Sequence, residues 1–339
     1  MPTVETYKIS PVSLEKLFYQ LLKEDRKIYA PVRRNDQVVF DLVTRYEEIC
    51  TDFIQTAASP KNLIFPRYEN LFSYKKGKDG VEIQQFNPDS IPEIVIWGLR
   101  PCDAAGFKVL KSLFNWDYKD EIFNTRLNKT TIIGFSCNQC DEYCFCTSVG
   151  GNPGNTTGSD LLITKAGEAG YLVEAVTEKG KGVIERSDSL FESSDNIRKE
   201  EFLADVPVMF TPDLLKEKLE KVFESEIWQQ QSIRCLGCGA CTYICPICAC
   251  FDIQDEAHGK KGTRIRCWDS CGFSLFTQHA SGHNPRMNQA QRWRQRVMHK
   301  YVYMPERIHE IGCTGCGRCS RACPVDMNIL DHLKSILKS

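Results

Sequence analysis

Nowhere does this chain hold an apolar run long enough to cross a bilayer as a helix. Met1 to Ser10 shows no basic segment leading into an apolar stretch, so no export signal is expected. Charge of one sign is also lacking. The formal net charge is −1, and the overall balance calls for neither nucleic acid nor an anionic membrane as partner. Phosphate-binding fingerprints are missing: Gly150-Gly151-Asn152-Pro153-Gly154 fits neither G-x-G-x-x-G nor the Walker pattern. No nicotinamide or flavin site is readable, and the six histidines form no triad.

What the chain has in excess is cysteine, 18 in 339 residues. Without an export signal, that number implies a reducing compartment where thiols serve metals or redox chemistry rather than disulfides. The expectation is a soluble, cytoplasmic protein. Eight of the cysteines repeat one spacing, C-x2-C-x2-C-x3-C-P: Cys235, Cys238, Cys241, Cys245 with Pro246, and Cys313, Cys316, Cys319, Cys323 with Pro324. Three thiolates at three-residue steps converge on one iron–sulfur cube, and the fourth, before the proline, reaches the other cube. The spacing therefore predicts one [4Fe–4S] cluster on Cys235, Cys238, Cys241 and Cys323, and a second on Cys313, Cys316, Cys319 and Cys245. C-x2-C pairs also suit tetrahedral zinc, but zinc sites seldom use three evenly stepped cysteines followed by Cys-Pro, and not twice. Glycines 237, 239, 315 and 317 belong to these loops, where small residues let backbone amides approach sulfur.

Five more cysteines lie between Cys102 and Cys146. Cys102 sits just past the apolar run Ile94–Gly98, and Cys137 two residues past Thr131–Phe135. If these runs are neighbouring parallel strands, both thiols emerge at the sheet edge where open α/β sheets place ligands. Cys102, Cys137, Cys144 and Cys146 are the expected ligands of a third cluster, with Cys140 spare or a substitute. Zinc and unligated buried thiols are the competing readings. Cys248, Cys250, Cys267 and Cys271 read singly as small buried hydrophobes, or together as a further metal site; Cys50 is expected in the core.

Cysteine density also divides the chain. Residues 1–222 are expected to form an α/β domain with the third cluster site, and residues 223–339 a mostly helical, ferredoxin-type domain with two [4Fe–4S] clusters. In the first, Ser13–Lys23 reads as an amphipathic helix, and Tyr29–Val32 and Val38–Val43 as strands. Asp160–Thr164 and Tyr171–Val176 read as a hairpin followed by a helix over Glu178–Arg186. Thr211–Gln231 reads as one joining helix, with Thr211 as N-cap. In the second, the 67 residues between Cys245 and Cys313 are expected to supply helices at Gly272–Ser281 and Gln289–Tyr301, with a closing helix over Val325–Leu337.

From Lys260 to Arg307 ten Lys and Arg face only Asp269 and Glu306. Because a thiolate-ligated cluster is an anion, the favoured role for these cations is to offset cluster charge and raise its potential, or to dock an acidic partner. A solvated face comes second, and phosphate binding beside Trp293 third.

Several local patterns then combine. They are Gly98-Leu99-Arg100-Pro101-Cys102-Asp103, Cys144-Phe145-Cys146-Thr147-Ser148, the Cys245-Pro-x-Cys-x-Cys run, and Trp268-Asp269-Ser270-Cys271. Gly282-His283-Asn284, Arg292-x-Arg-x-Arg296 with His299-Lys300, and Cys313-Thr-Gly-Cys-Gly-Arg-Cys319 complete the set. Over about residues 10 to 335 the chain resembles the iron–sulfur beta subunit of cytoplasmic sulfhydrogenases and the corresponding iron–sulfur subunit of anaerobic sulfite reductase. The resemblance implies an electron-wiring subunit between a flavin- and NAD(P)H-binding diaphorase subunit and a catalytic subunit. That catalytic subunit is a nickel–iron hydrogenase, a sirohaem sulfite reductase or a heterodisulfide-reductase-like partner. It also implies ligand roles for Cys102, Cys137, Cys144 and Cys146. The expected function is thus non-catalytic electron transfer in an anaerobic oxidoreductase complex. The alternatives are a reductase with its own open cluster around Cys137–Cys146, and an iron–sulfur sensor binding DNA through Arg286–Lys300.

Overall fold

The computed structural model describes residues 5–24, 26–194 and 197–339. Its strands, in chain order, are β1 (Glu5–Ile9), β2 (Lys27–Arg34), β3 (Gln37–Val43), β4 (Tyr68–Lys76), β5 (Val81–Gln85), β6 (Ile94–Leu99), β7 (Thr130–Phe135), β8 (Leu161–Lys165), β9 (Tyr171–Ala175), β10 (Glu192–Ser193), β11 (Phe251–His258) and β12 (Lys261–Trp268). The helices are α1 (Pro11–Lys23), α2 (Pro101–Leu113), α3 (Glu121–Asn128), α4 (Glu178–Arg186), α5 (Pro212–Lys221), α6 (Ile227–Ser232), α7 (Ala240–Tyr243), α8 (Gln289–Met298), α9 (Met304–Ile308), α10 (Arg318–Arg321) and α11 (Ile329–Lys338).

The main sheet runs β10-β1-β9-β8-β7-β6-β2-β3. Its middle, β2-β6-β7-β8, is parallel, and antiparallel strands finish both sides. β6 is buried along its whole length, which is why it reads as an unbroken apolar run rather than an alternating one. Alternate residues nevertheless serve different layers. Val95 and Trp97 pack with Leu14, Leu17 and Phe18 of α1. Ile94 and Ile96 pack with Phe107 and Leu110 of α2 and with Phe123 of α3. Trp97 meets Phe18 edge to face at 5.8 Å.

Several expectations are corrected at their ends. α1 opens two residues before Ser13, because the Ser10 hydroxyl caps it and Pro11 occupies the first turn. The joining helix is two helices: α5 begins at the expected Thr211 cap but stops at Lys221, and α6 follows after a turn. The Trp228 indole donates to Val222 O at 2.8 Å and holds that break. Gly272–Ser281 forms turns instead of a helix. There Asn284 binds Ser274 O at 2.6 Å and Thr277 Oγ1 at 2.8 Å, so side chains supply the bonds a helix would make along its backbone.

The largest difference lies between the two ligand loops. Where helices alone were expected, β11 and β12, eight residues each, form a hairpin whose turn places Gly259 at φ 60°. β12 then pairs with β4, giving a second, antiparallel sheet of order β11-β12-β4-β5. This sheet joins residues from both halves of the chain. Buried Arg266 on β12 fastens it by binding Glu69 on β4 and Asp120 at the cap of α3.

Beyond the hairpin, the Asn288 and Gln291 side chains form a reciprocal cap on α8. His299–Tyr303 continues it as a single π turn, a local irregularity often found at functional sites. Among the described residues no helix is long and apolar enough to cross a membrane.

Candidate metal centres

Each ligand loop has the form Cys-x-Gly-Cys-Gly-x-Cys, and its two glycines adopt left-handed φ. The angles are 66° and 74° at Gly237 and Gly239, and 64° and 68° at Gly315 and Gly317. Residues with a Cβ resist that conformation, so the loop curls only because glycine stands there. Each loop runs directly into a single helical turn, α7 or α10, which carries the third cysteine.

The structure brings Cys235, Cys238, Cys241 and Cys323 to one cavity of about 40 Å³, closed on one side by Pro324. Cys319 stands in the field of Cys316, Cys313 and Cys245, so the remaining four of the repeat also gather. Gln289 Nε2 donates to Cys235 Sγ at 3.0 Å, and Gly315 N to Cys313 Sγ at 3.4 Å. Such donors stabilise charge on sulfur.

In the N-terminal part, β6 and β7 are adjacent and parallel, so Cys102 and Cys137 leave the same edge of the sheet. They line a cavity of about 20 Å³ with Cys140, Cys144 and Cys146. Gln55 Nε2 donates to Cys102 Sγ at 2.9 Å. Cys140 is drawn aside, its thiol donating to Asp205 O at 3.2 Å. Burial pushes the Cys137 thiol up to about 11 and Cys146 up to about 12, and raises Cys102 as well. A bare thiolate is costly in such surroundings, so these thiols ionise only when an opposing charge, such as bound iron, displaces the proton.

This cavity is built against the second ligand loop. Cys316 also lines it. Phe145 N donates to Gly315 O at 2.9 Å, and a Cβ on Gly315 would lie 2.4 Å from Cys146 N. Arg318, fully buried on α10, donates to both oxygens of buried Asp103 at 2.6 Å and to Thr56 Oγ1 at 2.8 Å. Arg321 binds Asp141 and stands 3.6 Å from Cys144 Sγ.

The basic segment divides in two. Arg264 pairs with Asp255 and Arg294 with Glu224 near the surface, while Arg266 serves the second sheet. Arg296 and Lys300 are buried among sulfur. Arg296 Nη1 is 3.5 Å from Cys248 Sγ, and Lys300 Nζ is 3.5 Å from Cys245 Sγ. Burial works against both charges, but the surrounding thiols hold their pKa values above the ordinary range. Within the Arg286–Lys300 segment, Arg296 and Lys300 are thus enclosed and face thiols, whereas Arg286, Arg292 and Arg294 are only partly buried.

Some residues fall elsewhere than expected. Cys50 is only partly buried and receives Arg33 Nη2 at 3.7 Å, so it is not a core residue. His279 and His283, four residues apart, meet edge to face at 5.3 Å in the turns after Cys271. Lys61 was missed because a lone lysine in a polar loop gives no signal. It is buried, donates to Cys248 O at 2.5 Å and to Thr242 O at 3.1 Å, and lies over Trp268.

Among the described residues no group of three or more His, Cys, Asp or Glu side chains forms a site for a single metal ion. The thiols of the first and third sets each line one cavity. Comparison with known proteins agrees with this chemistry. The family of 4Fe-4S dicluster domains matches residues 234–327. Sulfhydrogenase 2 subunit beta of Pyrococcus furiosus is 30% identical over 325 residues, which is 94% of this chain and 93% of that protein. No solved structure matches. The chain belongs to the family of sulfhydrogenase beta subunits and carries a 4Fe-4S dicluster domain.

Proposed function

We propose that this chain is the electron-transfer subunit of an anaerobic, cytoplasmic oxidoreductase complex. It relays electrons between a flavin- and NAD(P)H-binding diaphorase subunit and a catalytic redox subunit. The relative's description as a subunit supports a place among partner subunits. The ligand sets in this reading are Cys235, Cys238, Cys241 and Cys323; Cys313, Cys316, Cys319 and Cys245; and Cys102, Cys137, Cys144 and Cys146. The first two belong to a ferredoxin-type domain over residues 223–339, and the third to an α/β domain over residues 1–222. Bound there, [4Fe–4S] clusters supply one-electron carriers.

The observation that carries the reading is the interlock at Gly315. The N-terminal thiol loop and the second ligand loop share a backbone hydrogen bond and the buried Arg318–Asp103 pair. The second loop's Cys319 in turn lines the cavity of the first loop. These contacts support a relay read in the order N-terminal set, second loop, first loop. What the polypeptide contributes is spacing, exclusion of water, sulfur-directed donors and the buried cations Arg296 and Lys300.

The test is metal content after anaerobic purification. Cys144→Ser/Cys146→Ser is expected to lower iron by about four per chain, the content of one [4Fe–4S] cluster, and to leave the rest. Unchanged iron removes the third set from the relay.

A further inference from the structure

We propose that Cys248, Cys250 and Cys271 hold an additional iron–sulfur cluster by three thiolates, with its fourth position open to a pocket of about 590 Å³. The three sets above leave six cysteines. Cys50, Cys140 and Cys267 lie apart from one another, with Arg33, Asp205 O and Asp252 O as their neighbours. The other three line one pocket.

The β11–β12 hairpin explains their meeting. Cys250 immediately precedes β11, and Cys271 follows β12 by three residues. Pairing of Phe251 with Trp268 closes the hairpin's open end. Asp269 N then bonds Cys250 O at 2.9 Å, and Cys250 and Cys271 line the same pocket. Cys271 also lines the cavity of the first ligand loop, so the additional site adjoins the relay.

Charge supplies an independent reason. Arg296, Lys300 and Lys61 are 5%, 4% and 1% exposed, and among the described residues none has a carboxylate partner. Three buried cations without a carboxylate are consistent with anionic sulfur on this side of the relay as well, because buried charge is tolerated only when compensated. Arg296 Nε is buried with no hydrogen-bond partner, and this side chain lines both the pocket and the adjoining cavity.

The pocket wall offers no fourth thiol; Phe114, Trp116, Phe251 and Met304 make it largely apolar, and Arg296, His299 and Lys300 also line it. An open iron position there, facing cations in an apolar pocket, suits a small soft anion such as a thiolate or cyanide.

The inference goes beyond the proposed relay, and its variant is tested beside the Cys144→Ser/Cys146→Ser protein so that either result stands alone. In the full chain purified without oxygen, Cys250→Ser/Cys271→Ser is expected to lose about four irons per chain relative to the unaltered protein, whatever the total. Unchanged iron, or loss of zinc in its place, overturns the assignment. Should that variant not fold, the unaltered protein decides the matter: reduced and titrated with potassium cyanide, it is expected to show a change in one electron paramagnetic resonance signal and not in the others. A spectrum indifferent to cyanide overturns the open position.

Discussion

The two ligand loops have almost the same backbone and opposite surroundings. In the first, Cys238 is exposed, Leu236 is 67% exposed and Ile233 just upstream is 84% exposed. In the second, Cys316 is buried and Arg318 is sealed against Asp103. A Cβ added at Gly237 would meet its nearest neighbours at 3.3 Å, whereas one at Gly315 would lie 2.4 Å from the Cys146 backbone. The motif decides how the loop curls; the packing around it decides whether the site is interior or terminal. In the proposed relay the second loop is the interior station and the first is the end nearer solvent.

The largest effect expected from this contrast comes from Asp103→Ala. It strands the buried Arg318 charge and should cost about 3–5 kcal/mol in urea denaturation. Replacing both partners by apolar residues, Asp103→Leu/Arg318→Met, should recover most of the loss, because no buried charge then remains. If the single variant is neutral, the pair does not hold the two halves together.

Next comes a matched comparison of glycines. Both Gly237→Ala and Gly315→Ala place a Cβ in left-handed backbone, at about 1–2 kcal/mol each. Gly315→Ala adds a backbone collision that overpacks the interlock, about 1–3 kcal/mol more. Equal losses in thermal unfolding would contradict the contrast between the loops.

How much of this was legible beforehand follows from what each residue depends on. The crossed cysteine repeat is local chemistry at fixed spacing, and the apolar runs of β6 and β7 announce buried strands, so the position of Cys102 beside Cys137 could be anticipated. The β11–β12 hairpin escaped because β11 is exposed throughout and shows no clean hydrophobic alternation. Its pairing with β4 spans nearly 200 residues, which no window of sequence registers. Lys61 and the Asp103–Arg318 pair escaped for a similar reason: their burial is created by partners far away in the chain.

A third prediction concerns charge near sulfur. Lys300→Met removes the cation 3.5 Å from Cys245 Sγ and should lower a reduction potential in anaerobic redox titration. A shift of about 60 mV, tenfold in a one-electron equilibrium constant, is the expected order. A potential that does not move would remove Lys300 from the electrostatic account. The smallest effect belongs to Arg321→Ala. Its pair with Asp141 is only about three-quarters buried, and its loss should cost about 1 kcal/mol by urea denaturation. A cost as large as that of Asp103→Ala would mean the outer pair carries the interlock.

The most direct test of the central claim is iron, acid-labile sulfide and zinc measured on the chain purified without oxygen. The three thiol sets of the relay predict about 12 irons with matching sulfide, the additional site raises this to about 16, and zinc is near zero. A folded preparation that contains zinc in place of iron, or no metal at all, would contradict the account.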